Sequence, residues 1–96
     1  MKTGRPVRVG LVGIGSWSGV IADAMQRSEK LELVTCFSRT AEKRIEYSRR
    51  YGCDQEKSYE GMLKRNDIDG VMLITTNAVH AKQTELAARY RKHVYV

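Results

Sequence analysis

The chain has 96 residues, 42% of them hydrophobic, and a formal net charge of +6. This length fits one small domain. No apolar run approaches the ~20 residues of a membrane span, so we expect neither a transmembrane segment nor a membrane partner. The basic clusters are interrupted by acidic residues and lack interleaved aromatic side chains, so we expect no nucleic-acid partner. We interpret the basic clusters as solvated helix faces. Alternatively, they attract an anionic ligand such as a phosphorylated cofactor.

The two cysteines, Cys36 and Cys53, do not indicate a metal site, because they form neither a Cys-x-x-Cys pair nor any other ligand spacing. We expect both to be reduced thiols of a cytoplasmic protein. The N-terminus is basic, but the apolar stretch behind it is short and ends in glycines. We therefore expect no signal peptide.

A glycine motif follows the first apolar run of the chain. Residues Val7–Gly13 predict a buried strand, and the next helix is predicted over roughly Trp17 to Ser28. Gly13 allows a tight turn between them, and Gly15 lets the backbone approach a pyrophosphate because it has no Cβ. Ser18 occupies the third position of the motif and is small enough for helix and strand to pack closely. The free N–H groups at the start of the helix would face the anion.

Two further residues complete this turn and are predicted to contact the same ligand. Ser16 and Trp17 lie between the second glycine and the helix. Trp17 is interpreted as a cover over the phosphate loop or as a locally packed side chain, not as a residue that performs chemistry. Glycines placed between a strand and a helix in this way are typical of a dinucleotide-binding fold.

Strands and helices alternate along the rest of the chain. Further strands are predicted at Leu31–Phe37, Cys53–Gln55, Gly70–Thr75 and His93 to Val96, and further helices at Ala41–Tyr51, after Ser58 and over Val79 to Arg91. We therefore expect residues 1–96 to form one dinucleotide-binding domain of the α/β class. This is a Rossmann-type, doubly wound parallel sheet with strand order 3-2-1-4-5 and helices on both faces. Three loops would meet beyond the carboxyl ends of the first and fourth strands: Gly13–Gly19, Ser38–Thr40 and Thr75–His80.

Periodicity also predicts which helix faces are buried. The first helix would bury a face formed by Val20, Ile21, Ala24 and Met25. The last helix would bury Val79, Leu86, Ala87 and Tyr90. Gly52 is predicted to end the second helix, and Ser58 to cap the short helix after it.

The end of the second strand predicts the choice of cofactor. A carboxylate at this position would bind the adenosine ribose 2′-hydroxyl and favour NAD. The chain instead has Ser38, Arg39 and Thr40, whose two hydroxyls and guanidinium suit a 2′-phosphate. We therefore predict a preference for NADP, with NAD as the alternative cofactor. A purely structural interpretation is a turn residue, a solvent-facing arginine and a helix cap.

The end of the central strand supplies the remaining candidates. Thr75, Thr76 and Asn77 are predicted to line the cofactor cleft, with Thr75 and Asn77 able to reach a ribose or the nicotinamide side. His80, in the first turn of the next helix, is a further candidate contact, although such a lone histidine is commonly a structural hydrogen-bonding group. We assign no catalytic residue and no metal ligand, because no catalytic constellation or metal cluster occurs in the sequence.

The order of these motifs resembles the glucose–fructose oxidoreductase and inositol dehydrogenase group, known as the Gfo/Idh/MocA family. The matching segments are Val9–Trp17, Cys36–Thr40, Tyr51-Gly52, Asp67–Asn77 with His80, and Lys92–Val96. The resemblance implies an N-terminal Rossmann domain paired with a larger C-terminal α/β domain that binds a sugar, polyol or similar substrate. It also implies hydride transfer by a nicotinamide cofactor, and we expect the parent protein to be a homo-oligomer.

The resemblance further implies that the catalytic lysine is missing from this chain. In the family, a Lys-His-Val-x-Val stretch runs into a Glu-Lys-Pro motif whose lysine assists catalysis, and this chain ends at Val96. We therefore expect a cofactor-binding fragment that is inactive alone. Two residues depart from the family pattern: Thr76 stands where proline is usual, and Ser18 replaces a glycine or alanine.

Two alternatives remain open. One is a non-catalytic Rossmann module that senses or binds nicotinamide cofactors. The other is a methyltransferase-like fold that binds S-adenosylmethionine. The second alternative normally requires a carboxylate after the second strand, and Ser38-Arg39 argues against it.

Overall fold

The structure is a computed structural model that describes residues 6–15, 18–75 and 77–95, without the side chains of residues 77 and 78. Strands and helices alternate along these ranges as predicted. The elements are β1 (Val7–Val12), α1 (Ser18–Gln26), β2 (Leu31–Phe37), α2 (Ala41–Tyr51), β3 (Asp54–Gln55), α3 (Tyr59–Leu63), β4 (Gly70–Leu73), α4 (Asn77–Arg89) and β5 (His93–Tyr95). Among these helices, none is both long enough and apolar enough to cross a membrane.

The sheet confirms the predicted Rossmann-type topology. Its five strands lie in the order β3-β2-β1-β4-β5, and every neighbouring pair is parallel. Strand β1 is central, with Val7 opposite Leu31 in β2 and Val9 opposite Gly70 in β4. The carboxyl ends of β1 and β4 therefore lie side by side, at the point where the strand order reverses. Ligands of such sheets bind at this edge.

Apolar side chains fill both faces of the sheet. One buried cluster contains Val9, Leu11, Ala22, Met25, Cys36, Tyr47 and Cys53, beneath α1 and α2. The other contains Val12, Met62, Leu63, Ile68, Val71, Leu73 and Ala87, beneath α3 and α4. Because successive residues of a strand point to opposite faces, a strand covered on both sides needs a continuous apolar run. This explains the sequence of β1.

The predicted face of α1 is partly wrong. Met25 is buried and Ile21 packs against the core, but Ala24 is exposed and Val20 is 56% exposed. The buried side chains of the helix are Ser18, Ala22 and Met25, spaced four and three residues apart. Two small residues in this stripe let the start of the helix lie close to the sheet.

The bounds of the fourth βα unit also differ from the prediction. Pairing in β4 ends at Leu73, two residues before the predicted end, and α4 begins at Asn77 instead of Val79. Val79 was predicted to be buried but is 42% exposed. Ala87 is buried as predicted, with Leu86 and Tyr90 packed against the same cluster. Val79 lies in the first turn of α4, where it lines a cleft at the edge of the sheet instead of the core.

The two predicted helix signals are confirmed. Gly52 ends α2 in the left-handed conformation, with φ 71°. The hydroxyl of Ser58 accepts a hydrogen bond from the amide of Gly61 at 2.9 Å and caps α3. The positions of α2 and α3 are thus set by local sequence.

A charge cluster joins β3 to the loop after α3. The Arg65 guanidinium lies 2.8 Å from Asp54, 2.9 Å from Glu56 and 2.7 Å from Asp67. Hydrogen bonds from Arg65 hold the pKa values of Asp54 and Asp67 below their usual range. A carboxylate whose pKa is lower in the folded chain stabilises the fold above the unfolded value of ~3.9, and this contribution is lost on acidification through the folded value.

We expect Arg65→Ala to lower the free energy of unfolding by about 1 kcal/mol at pH 7, because two of the carboxylates are half exposed and their pairs are therefore weak. The difference from wild type should shrink below about pH 4. Urea denaturation at pH 7 and in acid measures both effects. Arg89→Ala, which breaks a pair whose side chains are 70% and 69% exposed, is the matched control. If the difference in the free energy of unfolding between wild type and Arg65→Ala does not change with pH, the ion pairs of Arg65 do not stabilise the fold.

Candidate dinucleotide-binding site

The turn after β1 requires glycine at its first position. Gly13 has φ 94°, and its amide donates a hydrogen bond to the carbonyl of Phe37 at 2.9 Å. A Cβ on Gly13 would lie 2.4 Å from the carbonyl oxygen of Ile74. Both the backbone conformation and the approach to β4 therefore exclude a side chain. The predicted tight turn at Gly13 is confirmed.

Gly15 differs from Gly13, because no described residue around it excludes a side chain. Gly15 is exposed, and a Cβ added to it would meet no heavy atom of the described residues within 4 Å. Its φ is not positive. The glycine therefore leaves open space above the turn, as far as the described residues show. An approaching phosphate group needs such space, so Gly15 fits the predicted ligand.

Ser18 connects the turn to the helices. Its amide and its hydroxyl both donate to the carbonyl of Gly15, at 3.2 Å and 2.6 Å. The carbonyl of Ser18 accepts a hydrogen bond from the Tyr47 hydroxyl of α2 at 2.8 Å. Burial raises the pKa of Tyr47, so this hydroxyl stays a donor throughout the neutral range.

The loop after β2 is held from behind by Arg44 of α2. The guanidinium of Arg44 donates to the carbonyl of Ser38 at 2.8 Å and to the side chain of Gln55 at 3.2 Å. Thr40 is the N-cap of α2, but its side chain makes no capping hydrogen bond. Arg39 is exposed, and within the described part of the chain it has no carboxylate partner. Its charge is therefore available to a ligand.

The loop after β4 and the start of α4 present both polar and apolar side chains. The Thr75 hydroxyl donates to the side-chain oxygen of Gln83 at 2.6 Å, which fixes the carboxamide of Gln83. Val79 is exposed beside it. His80 is half-buried, and its Nε2 atom is buried without a hydrogen-bond partner among the described residues. Asn77 is the first residue of α4.

The three loops enclose one cleft of about 560 Å³ at the carboxyl edge of the sheet. The turn after β1 contributes Val12, Gly13, Ile14 and Gly15; the β2 side contributes Phe37, Ser38, Arg39, Thr40 and Lys43; the β4 side contributes Ile74, Thr75, Val79 and Gln83. The predicted meeting of the three loops is confirmed. Arg39 and Lys43 make one wall basic, whereas Phe37, Ile74 and Val79 make other parts apolar.

Some predicted site residues are not placed in this cleft. Ser16, Trp17 and Thr76 lie outside the described residues, as does the side chain of Asn77. His80 follows the cleft residue Val79 but does not line the cleft itself. The roles predicted for these five residues stay predictions.

Sequence reasoning missed several residues that shape the cleft, among them Val79, Gln83 and Arg44. Val79 was expected in the core, so Gln83, one turn later on the same helix face, was also not considered. Their i, i+4 spacing places both residues on one helix face, but this spacing does not show whether the face lies over the core or over the cleft. Arg44 carries no local signal, because its contacts to Ser38 and Gln55 depend on the tertiary fold.

Residues 7–96 match the sequence model of the Gfo/Idh/MocA oxidoreductases, described as an oxidoreductase family with an NAD-binding Rossmann fold. The chain belongs to this family. The match runs from the first residue of β1 and includes the glycine turn and all three cleft-forming loops. The chain is thus an NAD(P)-binding Rossmann domain of the Gfo/Idh/MocA oxidoreductases, as the resemblance implied.

Individual relatives are reductases and dehydrogenases. The chain is 32% identical, over 94 residues, to dTDP-3,4-didehydro-2,6-dideoxy-alpha-D-glucose 3-reductase of Streptomyces violaceoruber. This match covers 97% of the chain but only 28% of the relative. The chain therefore spans less than a third of the length of this relative.

Solved structures show the same architecture. A Desulfitobacterium hafniense protein, named as an NADPH-dependent oxidoreductase, is 45% identical with a TM-score of 0.91, over 95% of this chain and 26% of its own. The 3-ketoreductase KijD10 of Actinomadura kijaniata, solved with TDP-benzene and NADP, is 26% identical with a TM-score of 0.88, over 94% of this chain and 29% of its own. In both comparisons, the chain aligns with less than a third of the longer protein.

Proposed function

We propose that this domain binds NADPH in preference to NADH and serves an oxidoreductase that acts on a sugar, polyol or related carbinol. The observation that carries the cofactor preference is the β2 side of the cleft. Ser38, Arg39 and Thr40 line it, and no carboxylate occurs among the described lining residues. A carboxylate would select the free ribose 2′-hydroxyl of NADH, whereas a guanidinium matches a 2′-phosphate with a fork of donors.

The shape and charge of the cleft support the adenosine end of the cofactor at this position. The apolar side chains of Phe37, Ile74 and Val79 suit the faces of an adenine base. Lys43, in the first turn of α2, adds a second positive charge near Arg39. The open space above Gly15 leaves room for the pyrophosphate that both nicotinamide cofactors share.

The relatives support the same assignment. The Desulfitobacterium hafniense protein is named as NADPH-dependent, and KijD10 was solved with NADP. The Streptomyces relative is a reductase of a dTDP-linked deoxysugar, which supports a sugar-derived substrate for the parent of this domain. A cytoplasmic location and a homo-oligomeric parent protein complete the proposal, the first being supported by the free thiols of Cys36 and Cys53.

We expect the 96-residue chain to bind cofactor without oxidising or reducing a substrate. A bound nicotinamide supplies a hydride acceptor or donor, but reaction at a carbinol also needs a positioned acid or base. Among the described lining residues of the cleft there is no carboxylate or imidazole. Incubation with NADP and a panel of sugars and polyols should give no reduced-nicotinamide absorbance. Turnover by rigorously purified chain would contradict this and would make His80 the first candidate acid–base group.

The proposed cofactor preference is tested by titrating the domain with NADPH and NADH under identical conditions. One charge-assisted phosphate contact contributes about 1.5–3 kcal/mol, so NADPH should bind about ten- to a hundredfold more tightly. Isothermal titration calorimetry gives both dissociation constants. Equal affinities would refute the preference, and no binding of either cofactor would refute the proposed function.

A further inference from the structure

Gln83 places a polar side chain beside the apolar part of the cleft wall. It lies one turn after Val79 on the same face of α4, and both residues line the cleft together with Ile74 and Phe37. The three apolar side chains suit the faces of a flat base, but they carry no hydrogen-bonding group and cannot distinguish one purine from another. A base in this part of the cleft can be distinguished by the carboxamide of Gln83.

The Thr75 hydroxyl orients this carboxamide. It donates to the Oε1 atom of Gln83 at 2.6 Å. A carboxamide oxygen has two lone pairs, so Oε1 can accept one further hydrogen bond, and the Nε2 group has two N–H donors. Among the described residues, Nε2 of Gln83 has no hydrogen-bond partner. An acceptor and a donor therefore lie side by side at the cleft, and both are available to a ligand.

The backbone of Gln83 is held by α3. The Tyr59 hydroxyl donates to the carbonyl of Gln83 at 2.8 Å. Burial raises the pKa of Tyr59 to about 12, so this hydroxyl stays protonated and remains a donor throughout the neutral range. Gln83 is half-buried, and its main chain and its side chain are each fixed by a neighbouring element. Little further ordering of Gln83 is therefore needed when a ligand binds.

A donor beside an acceptor matches the edge of adenine. Adenine carries its 6-amino group next to a ring nitrogen that accepts, and a glutamine carboxamide can pair with both at once. Hypoxanthine has a carbonyl oxygen in place of the 6-amino group. It would set two acceptors against each other at Oε1 of Gln83. The carboxamide thus favours adenine over a purine with an oxygen at this position.

We propose that Gln83 selects adenine as the base of the bound cofactor, with Oε1 accepting from the 6-amino group and Nε2 donating to an adjacent ring nitrogen. Thr75 is a positioning residue that acts through Gln83. The inference rests on the proposed function, because it needs the adenosine end of a dinucleotide in this cleft. It assigns recognition of the base to Gln83 and recognition of the 2′-phosphate to Arg39.

The test compares NADPH with its deaminated analogue, which carries hypoxanthine instead of adenine. Wild type should bind NADPH about tenfold more tightly than the analogue, because a bidentate contact to a base edge discriminates at least to this extent. Gln83→Leu should bind NADPH about tenfold more weakly than wild type and should bind both compounds equally. Gln83→Met, which keeps the length of the side chain without its polar atoms, should behave in the same way. Calorimetric titration gives the dissociation constants, and circular dichroism measures the fold.

Further variants separate recognition of the base from support of the cleft. Thr75→Val removes the hydroxyl at nearly constant shape and should reduce the preference for adenine. In a chain that already carries Gln83→Leu, it should change the preference no further. Arg39→Ala should weaken NADPH and its analogue by the same factor, because both carry the 2′-phosphate. Gln26→Leu, the same substitution at an exposed position of α1 outside the cleft, is the matched control and should keep the wild-type preference.

The outcomes distinguish this inference from the proposed function. If the wild-type chain binds neither NADPH nor NADH, the proposed function and the inference fall together. If wild type binds NADPH and its deaminated analogue equally tightly, only the inference is overturned. It is also overturned if folded Gln83→Leu keeps the preference for adenine, whether or not its affinity falls. Gln83 would then support the wall of the cleft without recognising the base.

Discussion

Gly15→Val is expected to weaken the binding of both NADPH and NADH by about a hundredfold or more while the domain stays folded. The valine side chain would occupy the space above the turn, where a Cβ meets no atom of the described residues within 4 Å. Two charge-assisted hydrogen bonds to the pyrophosphate contribute about 3 kcal/mol together, so their loss accounts for this factor. Calorimetric titration measures the affinities, and circular dichroism with thermal unfolding measures the fold.

The control for this variant is Ala24→Val, which places the same side chain on the exposed surface of α1 outside the cleft. It should bind both cofactors as wild type does. If folded Gly15→Val binds both cofactors with undiminished affinity, the pyrophosphate does not bind at this turn. The open space above Gly15 would then serve another purpose.

Arg39→Ala is expected to lower the affinity for NADPH about ten- to a hundredfold and to leave the affinity for NADH nearly unchanged. Arg39 is exposed at the mouth of the cleft, and no described carboxylate neutralises it. Its fork of donors can therefore contact a ligand without breaking a described ion pair. Titration with both cofactors before and after substitution measures the change in preference.

Arg49→Ala is the matched control, because it removes the same charge from an exposed position of α2 that does not line the cleft. It isolates long-range attraction from direct contact, and its effect should disappear as salt is raised. Equal loss of NADPH and NADH affinity in Arg39→Ala would contradict the assignment. It would mean that Arg39 supports the common part of the site or the loop itself.

The arrangement of the sheet could be predicted because its signals are local. Apolar runs such as Gly70–Leu73 predict strands covered on both faces, and alternation with helices leaves few topologies. Gly13 could be predicted for the same reason, since a turn with φ 94° accepts few residues other than glycine.

The detail of the cleft walls could not be predicted, because it depends on contacts between distant elements. Val79 shares a helix face with Leu86 and was therefore predicted in the core, but it lies in the first turn of α4 and lines the cleft. The face of α1 was misjudged because its close contact with the sheet uses Ser18 and Ala22, not its larger apolar residues. Hydrophobicity alone does not show which small residues a neighbouring element will cover.

The most direct test of the central claim is a map of backbone amide chemical shifts during titration with NADPH. We expect the largest changes at Gly13 and Gly15, at Ser38–Thr40 and at Thr75, which lie on the three loops of one cleft. Arg65, in the loop after α3, should not respond. Repetition with NADH should reproduce the changes at the glycine turn and reduce those at Ser38–Thr40. Changes centred on another part of the sheet, or identical responses of Ser38–Thr40 to both cofactors, would contradict the account.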